Sequence, residues 1–165
     1  MRVRQIQPSD AAVARRLRLD SLADAPDAFA ATMQEELALP DAQWEARVRS
    51  NAEGIATAGF IAIDDAGECG LVVGVWLPGE PPSVALNALW VAPRARRLGA
   101  ARALVGAVEH WARARGATHV VLEVTETSHA ARALYAGADY EPVTEPASTC
   151  GRRGAPAIKL HKRLR

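Results

Sequence analysis

The stretch of residues 89–104, LWVAPRARRLGAARAL, constrains the fold of this chain more than any other part of the sequence. An apolar strand ends in Val91-Ala92-Pro93, an arginine-rich turn follows, and Gly99 opens an amphipathic helix. A helix N-terminus carries unpaired backbone N–H groups and about half a positive charge, so it attracts anions. Because Gly99, Ala100 and Ala101 also leave room for a ligand near the backbone, the segment predicts a site for a phosphate-bearing cofactor. The arginines that add positive charge around it are Arg94, Arg96, Arg97 and Arg102.

Composition narrows the class of protein. The chain has 165 residues, 49% hydrophobic and 24% charged, as expected for one globular domain over residues 1–165. Its formal net charge of +1 argues against a general nucleic-acid binder, which usually has a strong basic excess. The N-terminal segment MRVRQIQPSD lacks the apolar core of a signal peptide, and no apolar run approaches bilayer length. Cys69 and Cys150 show no metal-ligand spacing, so we expect free thiols in a reducing cytoplasm, with neither a metal site nor a membrane segment.

The hydrophobic pattern predicts a mixed α/β (α+β) domain. A short strand and a helix open the chain, a broken segment covers residues 25–39, and a second helix starts at Pro40-Asp41. Further strands are predicted over residues 55–63, 71–77, 83–91 and 118–125, and closing strands over residues 140–143 and 157–164. The remaining predictions are helices over residues 99–116 and 127–137 and a polar loop over residues 144–154. The strand–helix–strand order predicts a parallel crossover between residues 83–91 and 118–125.

Two motifs carry a resemblance to a known family. Arg96-Arg97-Leu98-Gly99-Ala100-Ala101 fits an R-x-x-G-x-A signature after a strand ending in V-x-P, and Ser128 to Tyr135 is similar to an N-x-x-A-x-x-L-Y helix. Both motifs and the order of elements resemble the GNAT superfamily of acyl-CoA-dependent N-acyltransferases. The resemblance implies one GNAT-like domain with a mostly antiparallel sheet, a central parallel strand pair splayed around the cofactor, and helices on both faces. The other nucleotide signatures, G-x-x-x-x-G-K-[ST] and G-x-G-x-x-G, are absent.

Three residues depart from the family pattern. Arg97 and Asp139 stand where glycine is common, and Ser128 replaces the usual asparagine. Arg97 fits the turn provided that its backbone does not need a positive φ, which disfavours residues other than glycine. Ser128 keeps a hydrogen-bonding side chain at the helix start but shortens it.

The resemblance also implies a cofactor site. Acetyl-CoA would be the co-substrate, with its pyrophosphate on the backbone N–H groups of Leu98 to Ala101. Its pantetheine arm would pair with the strand backbone around Leu89 and Val91, as in the addition of a strand to a sheet edge. The implied cofactor-binding residues are Leu89, Val91, Arg96, Arg97, Leu98, Gly99, Ala100, Ala101, Ser128, Ala131 and Tyr135.

Transfer of an acyl group to an amine requires an acid and a base, because the ammonium loses a proton and the departing thiolate gains one. Tyr135 is the candidate acid, since it shares one helical face with Ser128 and Ala131 and a phenol (pKa about 10) is close to a thiol (about 8.5). Glu123, on a central strand, is the candidate base, directly or through water. A surface or ion-paired strand carboxylate is the alternative for Glu123. Asn87 is a weaker candidate for orienting a water molecule.

The resulting prediction is direct transfer of acetyl from acetyl-CoA to a primary amine in a ternary complex. The acceptor, a small molecule or a peptide, would be bound by residues 25–44 and the loop after Tyr140. The carboxylates in this region make a cationic acceptor plausible: Asp27, Glu35, Glu36 and Asp41. A non-catalytic acyl-CoA-binding or sensing domain is the main alternative, and a DNA-binding protein that uses residues 94–115 is disfavoured by the near-neutral charge. A homodimer is one expectation for the assembly, since dimers are common in such families.

Overall fold

One mixed β-sheet organises the chain. The computed structural model describes residues 1–144, the backbone of residues 148–150, and residues 155–165. Within these residues eight strands form the sheet: β1 (Arg2–Gln5), β2 (Thr57–Asp64), β3 (Gly67–Leu77), β4 (Ser83–Val91), β5 (His119–Thr125), β6 (Glu141–Pro142), β7 (Ser148–Cys150) and β8 (Ala155–Arg163). The strand order is β1-β2-β3-β4-β5-β8-β6, and β7 pairs with β8. The β4–β5 pair is parallel and the other pairs are antiparallel. This arrangement confirms the predicted sheet, including the parallel crossover.

Helices cover both faces of the sheet because the strands alternate apolar side chains between two cores. The helices of the described residues are α1 (Ala11–Asp24), α2 (Met33–Leu37), α3 (Asp41–Glu53), α4 (Ala100–Ala114) and α5 (His129–Ala136). On one face, Leu17 of α1 and Val48 of α3 pack with Ile61 of β2. On the other face, the apolar side of α4 and Tyr135 of α5 pack against β2 to β5. None of these described helices has the length and apolarity needed to cross a membrane.

The approach of α4 to the sheet depends on a glycine. A Cβ on Gly74 would lie 2.9 Å from Cζ3 of Trp111 and 3.2 Å from Cγ1 of Val108. The missing side chain therefore lets the indole ring and the valine of α4 lie directly on β3. This contact holds α4 against the middle of the sheet, and the N-terminus of the helix is thereby placed next to the end of β4.

The central strands β4 and β5 separate along their length. They pair only from Ser83 opposite His119 to Ala85 opposite Val121. Beyond Ala85, β4 continues to Val91 with β3 as its partner, while β5 continues to Thr125 with β8 as its partner. The two strands thus form the arms of a fork, which is open at the end where α4 and α5 begin.

A β-bulge in β4 produces this separation. Leu71 of β3 lies opposite Trp90 and Val73 lies opposite Asn87, so β4 has one residue more than β3 in this interval. Ala88, inside the bulge, has a φ of 55°. An extra residue bends the strand and exchanges the faces of the side chains that follow it. Trp90 consequently joins the core under α1, whereas Leu86, on the other side of the bulge, belongs to the core under α4.

Two details differ from what the sequence pattern indicates, and one agrees with it. The predicted loop over residues 144–154 contains β7, while residues 145–147 and 151–154 lie outside the described part of the chain. Glu109 is a charged residue within the helix predicted over residues 99–116, and yet it is buried. Both of its carboxylate oxygens accept hydrogen bonds from Nζ of Lys162 at 3.0 Å. Periodicity alone does not reveal a buried ion pair, because it depends on which charged residue the neighbouring strand supplies. Cys69 is a buried free thiol, as expected, and the side chain of Cys150 is outside the described residues.

The chain leaves α5 through a residue in the left-handed conformation. Asp139 has a φ of 63°, which lets the N–H of Tyr140 donate to the carbonyl of Tyr135 at 3.0 Å. Glycine adopts this conformation without strain, aspartate tolerates it, and alanine is penalised.

We therefore expect the Asp139→Gly variant to be at least as stable as the natural protein. The Asp139→Ala variant should be less stable than both. The glycine and alanine variants should differ by about 1 kcal/mol in free energy of unfolding, measured by urea denaturation. Equal stability of these two variants would contradict a left-handed residue at this position.

Candidate active site

A large cleft occupies the fork between β4 and β5. Its volume is about 1310 Å³, and it extends from the start of α4 and α5 to the loop that follows α1. Both strands contribute at their separated ends, with residues 85–91 of β4 and residues 121–125 of β5. The cleft therefore exists because the two strands stop pairing after Ala85, which exposes backbone groups that a continuous ladder would use.

The structure brings nearly all residues of the sequence-predicted site to this one cleft. The predicted residues that line it are Leu89, Val91, Arg96, Arg97, Gly99, Ala100, Ala101, Glu123, Ser128, Ala131 and Tyr135. Leu98 is not part of the lining, and its residue surface is 64% exposed. Its backbone nevertheless belongs to the same turn, between Arg97 and Gly99.

The start of α4 presents backbone N–H groups to the cleft. Gly99 is the N-cap residue with a φ of 85°, and no side chain caps the helix. A Cβ on Gly99 would meet no described atom within 4 Å, so the space beside it is open. Glycine is needed here for its backbone conformation and for the close approach of a ligand.

Arg97 has a φ of 61°. From the sequence we expect Arg97 to fit the turn only with a negative φ, and the observed φ is positive. The turn holds Arg97 in the left-handed region at a cost of about 1–2 kcal/mol. Glycine adopts a left-handed conformation without strain, which agrees with the glycine that is common at this position in the resembled family.

The four arginines of the opening segment have different partners. Arg94 pairs with Asp64, Arg96 pairs with Asp24, and Arg102 donates to the carbonyl of Gly137. Within the described residues Arg97 alone among them has neither an ion pair nor a hydrogen bond. Its exposed guanidinium is therefore the group of this set that is most available to an anionic ligand.

Asp24 anchors the turn that precedes α4. It accepts a hydrogen bond from Nε1 of Trp90 at 2.9 Å and one from Arg96, whose Nε also donates to the carbonyl of Val91 at 3.0 Å. The indole N–H, and then the guanidinium, hold the pKa of the Asp24 carboxyl below its usual range. This cluster joins the end of α1, the end of β4 and the arginine-rich turn. Sequence analysis missed Asp24 and Trp90, because their proximity depends on the bulge in β4.

Tyr135 lies on the α4 side of the fork. Its residue surface is only 6% exposed, and its ring packs edge-on against Tyr140 with the ring centroids 5.5 Å apart. Burial raises the pKa of the Tyr135 hydroxyl well above its ordinary value. The hydroxyl is thus protonated at neutral pH, which is the form that a proton donor requires.

Glu123 lies on the opposite face of the sheet from Tyr135. Its neighbours Leu122 and Val124 point into the core under α4, so Glu123 faces the α1 side. Glu123 is exposed, lines the cleft and stands directly opposite Lys159 of β8. Lys159 also lines the cleft, and sequence analysis did not single it out. Only the register of β5 with β8 reveals this pair, since the two residues are far apart in sequence.

The carboxylates expected to face an acceptor do not line the cleft. Glu36 is buried between Arg18, at 3.2 Å, and Arg47, at 2.8 Å. Asp41 pairs with Arg15, and Glu35 forms the capping box of α2 with Thr32. These carboxylates therefore do not supply the negative charge on which the expectation of a cationic acceptor was based. Residues 25 and 28–31 line this part of the cleft instead, and except for Phe29 they are all alanines.

Among the residues that the structure describes, no group of three or more His, Cys, Asp or Glu residues is arranged to hold a metal ion.

Comparison with known proteins places the chain in a family. The sequence model of the "Acetyltransferase (GNAT) family" matches residues 17–140. Over 62 residues the chain is 44% identical to "Acetyl transferase GW6a" of Oryza sativa subsp. japonica, a match that covers 37% of this chain and 15% of that protein. The chain thus spans only a small part of that relative's length.

Solved structures share the fold over almost the whole chain. The structure of yncA, a putative acetyltransferase from Salmonella typhimurium with its cofactor acetyl-CoA, matches with a TM-score of 0.79 and 14% identity, covering 100% of this chain and 94% of that one. Spermidine N-acetyltransferase from Vibrio cholerae, in complex with CoA and spermine, matches with a TM-score of 0.74 and 16% identity, covering 99% and 95%. The family match and the shared fold lead to one conclusion: this chain belongs to the GNAT family of acetyltransferases.

Proposed function

We propose that this protein transfers an acetyl group from acetyl-CoA directly to a primary amine, with both substrates bound in the cleft at the same time. The observation that carries the proposal is the position of the cleft. It passes through the sheet between β4 and β5, with an uncapped helix start at one end and with Tyr135 and Glu123 on opposite faces. Two substrates can therefore meet from the two sides of the sheet without a covalent enzyme intermediate.

The start of α4 fits the diphosphate of acetyl-CoA. The backbone N–H groups of Gly99 to Ala101 offer hydrogen bonds and the positive end of the helix dipole. Gly99 has open space where a side chain would stand, and the exposed guanidinium of Arg97 adds charge. The unpaired backbone of β4 around Leu89 is available to the amide groups of the pantetheine arm. The neighbouring structure that contains acetyl-CoA supports this assignment.

Glu123 and Tyr135 perform the two proton transfers. Glu123 accepts a proton from the acceptor ammonium, directly or through a water molecule, so that the amine nitrogen can attack the thioester carbon. A nitrogen–carbon bond forms and the carbon–sulfur bond breaks. Tyr135 donates its hydroxyl proton to the departing sulfur. The attacking nitrogen loses its second proton as the amide forms, and this proton restores the Tyr135 hydroxyl through water, while Glu123 releases its proton to solvent. Burial raises the pKa of Tyr135 and so makes it a weaker acid. The same apolar surroundings also disfavour a thiolate, so the sulfur takes up the proton as negative charge develops on it.

Gly99→Ala tests the proposed diphosphate site at the start of α4. The added Cβ strains a backbone with positive φ and fills the space assigned to the diphosphate, so we expect about a tenfold or larger rise in the Kd of CoA by calorimetry. Gly106→Ala in the same helix is the matched control. Its Cβ meets no described atom within 4 Å in a helix interior, so CoA affinity should stay unchanged while stability rises by about 0.5–1 kcal/mol. An unchanged Kd of CoA in Gly99→Ala would reject the diphosphate site at the start of α4.

Tyr135→Phe tests the proton donor. We expect kcat to fall by about a hundredfold or more while the Kd of acetyl-CoA changes little, because only the hydroxyl is removed. Thiol release over a panel of amines measures kcat. Tyr140→Phe removes the hydroxyl of the neighbouring ring, which does not line the cleft, and should retain turnover. Full activity of Tyr135→Phe would exclude the assigned role.

Glu123→Gln tests the proton acceptor. The amide keeps the size of the side chain but cannot take up the proton, so we expect kcat/KM at neutral pH to fall by about a hundredfold. Activity should recover partly as the pH rises, because more of the acceptor is then unprotonated. Glu126→Gln, a nearby carboxylate outside the cleft lining, serves as the control. A pH profile that does not change in Glu123→Gln would assign the proton transfer to another group or to water.

Binding of acetyl-CoA without thiol release by the natural protein would instead indicate a non-catalytic sensing domain.

A further inference from the structure

The part of the cleft on the α1 side of the fork differs in chemistry from the part around α4. We define the acceptor half by Phe29, Leu77, Asn87, Val121, Glu123 and Lys159, all of which line the cleft. The strand residues among them alternate with residues of the core under α4, so they face the α1 side. Phe29 packs against the core under α1. Leu77 is 39% exposed although it is a large apolar side chain. An exposed apolar wall in a cleft indicates a ligand with apolar surface of its own.

Two charged residues beside this wall form ion pairs with other parts of the protein. Arg18 pairs with the buried carboxylate of Glu36, and its guanidinium lies 4.7 Å from the centroid of the Phe29 ring. Asp24 is paired with Arg96. These interactions fix the position of the Phe29 ring and of the loop after α1. The Asp24–Arg96 pair is neutral, whereas Arg18 shares Glu36 with Arg47, so this group keeps one positive charge beside the acceptor half.

Glu123 and Lys159 add one negative and one positive charge to the acceptor half. They lie directly opposite each other on antiparallel strands, so their side chains project from the same face of the sheet. Side chains in such a pair start only about 4.5–5.5 Å apart at Cβ. A lysine ammonium has three N–H donors, so it can bind an anionic group on a ligand in addition to any protein partner. The pair therefore presents an acceptor and a donor of charged hydrogen bonds side by side.

We propose that the acceptor amine is a zwitterionic α-amino acid with an apolar side chain. Its ammonium group faces Glu123, its carboxylate binds Lys159, and its side chain packs on Phe29 and Leu77. This inference rests on the proposed function and uses the same chemistry. The new bond joins the α-nitrogen to the acetyl carbon and the carbon–sulfur bond breaks. One ammonium proton goes to Glu123, Tyr135 protonates the sulfur, and the second nitrogen proton restores the Tyr135 hydroxyl through water. A polyamine is disfavoured, because its second ammonium would meet Lys159 or the apolar wall.

Amines that share the isobutyl side chain of leucine and differ only at its carboxylate test the carboxylate contact. Thiol release from acetyl-CoA is measured with leucine, leucinamide and isoamylamine, and with serine and spermidine for comparison. We expect kcat/KM for leucine to exceed that for leucinamide and isoamylamine by about tenfold or more, since both lack the carboxylate. Serine, which has the carboxylate but no apolar side chain, should be poorer than leucine, and spermidine poorer still. Equal kcat/KM for leucine and isoamylamine, or a preference for spermidine, would overturn the proposal.

The variant Lys159→Met keeps the length of the side chain and removes its charge. It should reduce the leucine-to-isoamylamine ratio of kcat/KM from about tenfold to near one, mainly through a higher KM for leucine. Arg163→Met is the matched control on the same strand and face, opposite His119 at the far end of β5, and should leave the ratio unchanged. A ratio that survives in Lys159→Met would reject the role of Lys159.

Calorimetry of leucine binding to the protein–CoA complex separates this inference from the proposed function. Leucine binding that is lost in Lys159→Met, with no thiol release from any amine, would support the recognition and reject the transfer reaction. Thiol release with other amines but not with leucine would support the transfer and overturn the recognition. Absence of both would overturn both.

Discussion

The bulge at Ala88 is the feature on which the rest of the site depends. One extra residue in β4 bends the strand away from β5 and leaves the two strands paired only as far as Ala85. The cost is a local break in the ladder and a left-handed alanine. In return, backbone groups that would otherwise be saturated by a neighbouring strand remain available along the fork. A cleft that crosses a sheet is otherwise difficult to build, because a sheet interior satisfies its own hydrogen bonds.

The same bulge organises the charges around the cleft. By changing the face of the following residues, it brings Trp90 under α1, where the indole meets Asp24. Asp24 in turn holds Arg96, and Arg96 holds the carbonyl at the end of β4. Most of the arginine charge in the turn is thus used to fix the start of α4. Arg97, which the turn holds in a strained conformation, has an exposed guanidinium, so positioning and ligand attraction are divided between adjacent residues.

The two faces of the sheet give the proposed acid and the proposed base different environments. Tyr135 is enclosed by apolar side chains, and burial disfavours its charged form. Glu123, two strand positions from the nearest parallel pairing, is exposed beside Lys159. A buried neutral donor and an exposed carboxylate on opposite faces are suited to opposite directions of proton transfer.

Much of the fold follows from local sequence patterns. The strand over Ser83–Val91 and the helix from Ala100 are predicted within a residue or two, because alternating and helical periodicities are strong there and glycines mark the helix ends. Other features depend on long-range partners. Burial of Glu109 requires Lys162, and the short strand β7 requires the edge of β8. No local pattern contains this information.

The sequence by itself determined the family, the order of the elements and the residues that converge on the fork. These properties reside in short motifs, in which spacing along one strand or helix sets which side chains share a face. Only the tertiary structure decided the chemistry of the acceptor half. It removed Glu36 and Asp41 from the cleft by pairing them with arginines of α1 and α3, and it placed Lys159 opposite Glu123. The physical reason is that strand register and ion-pair choice are set by packing between distant segments, which local periodicity does not encode.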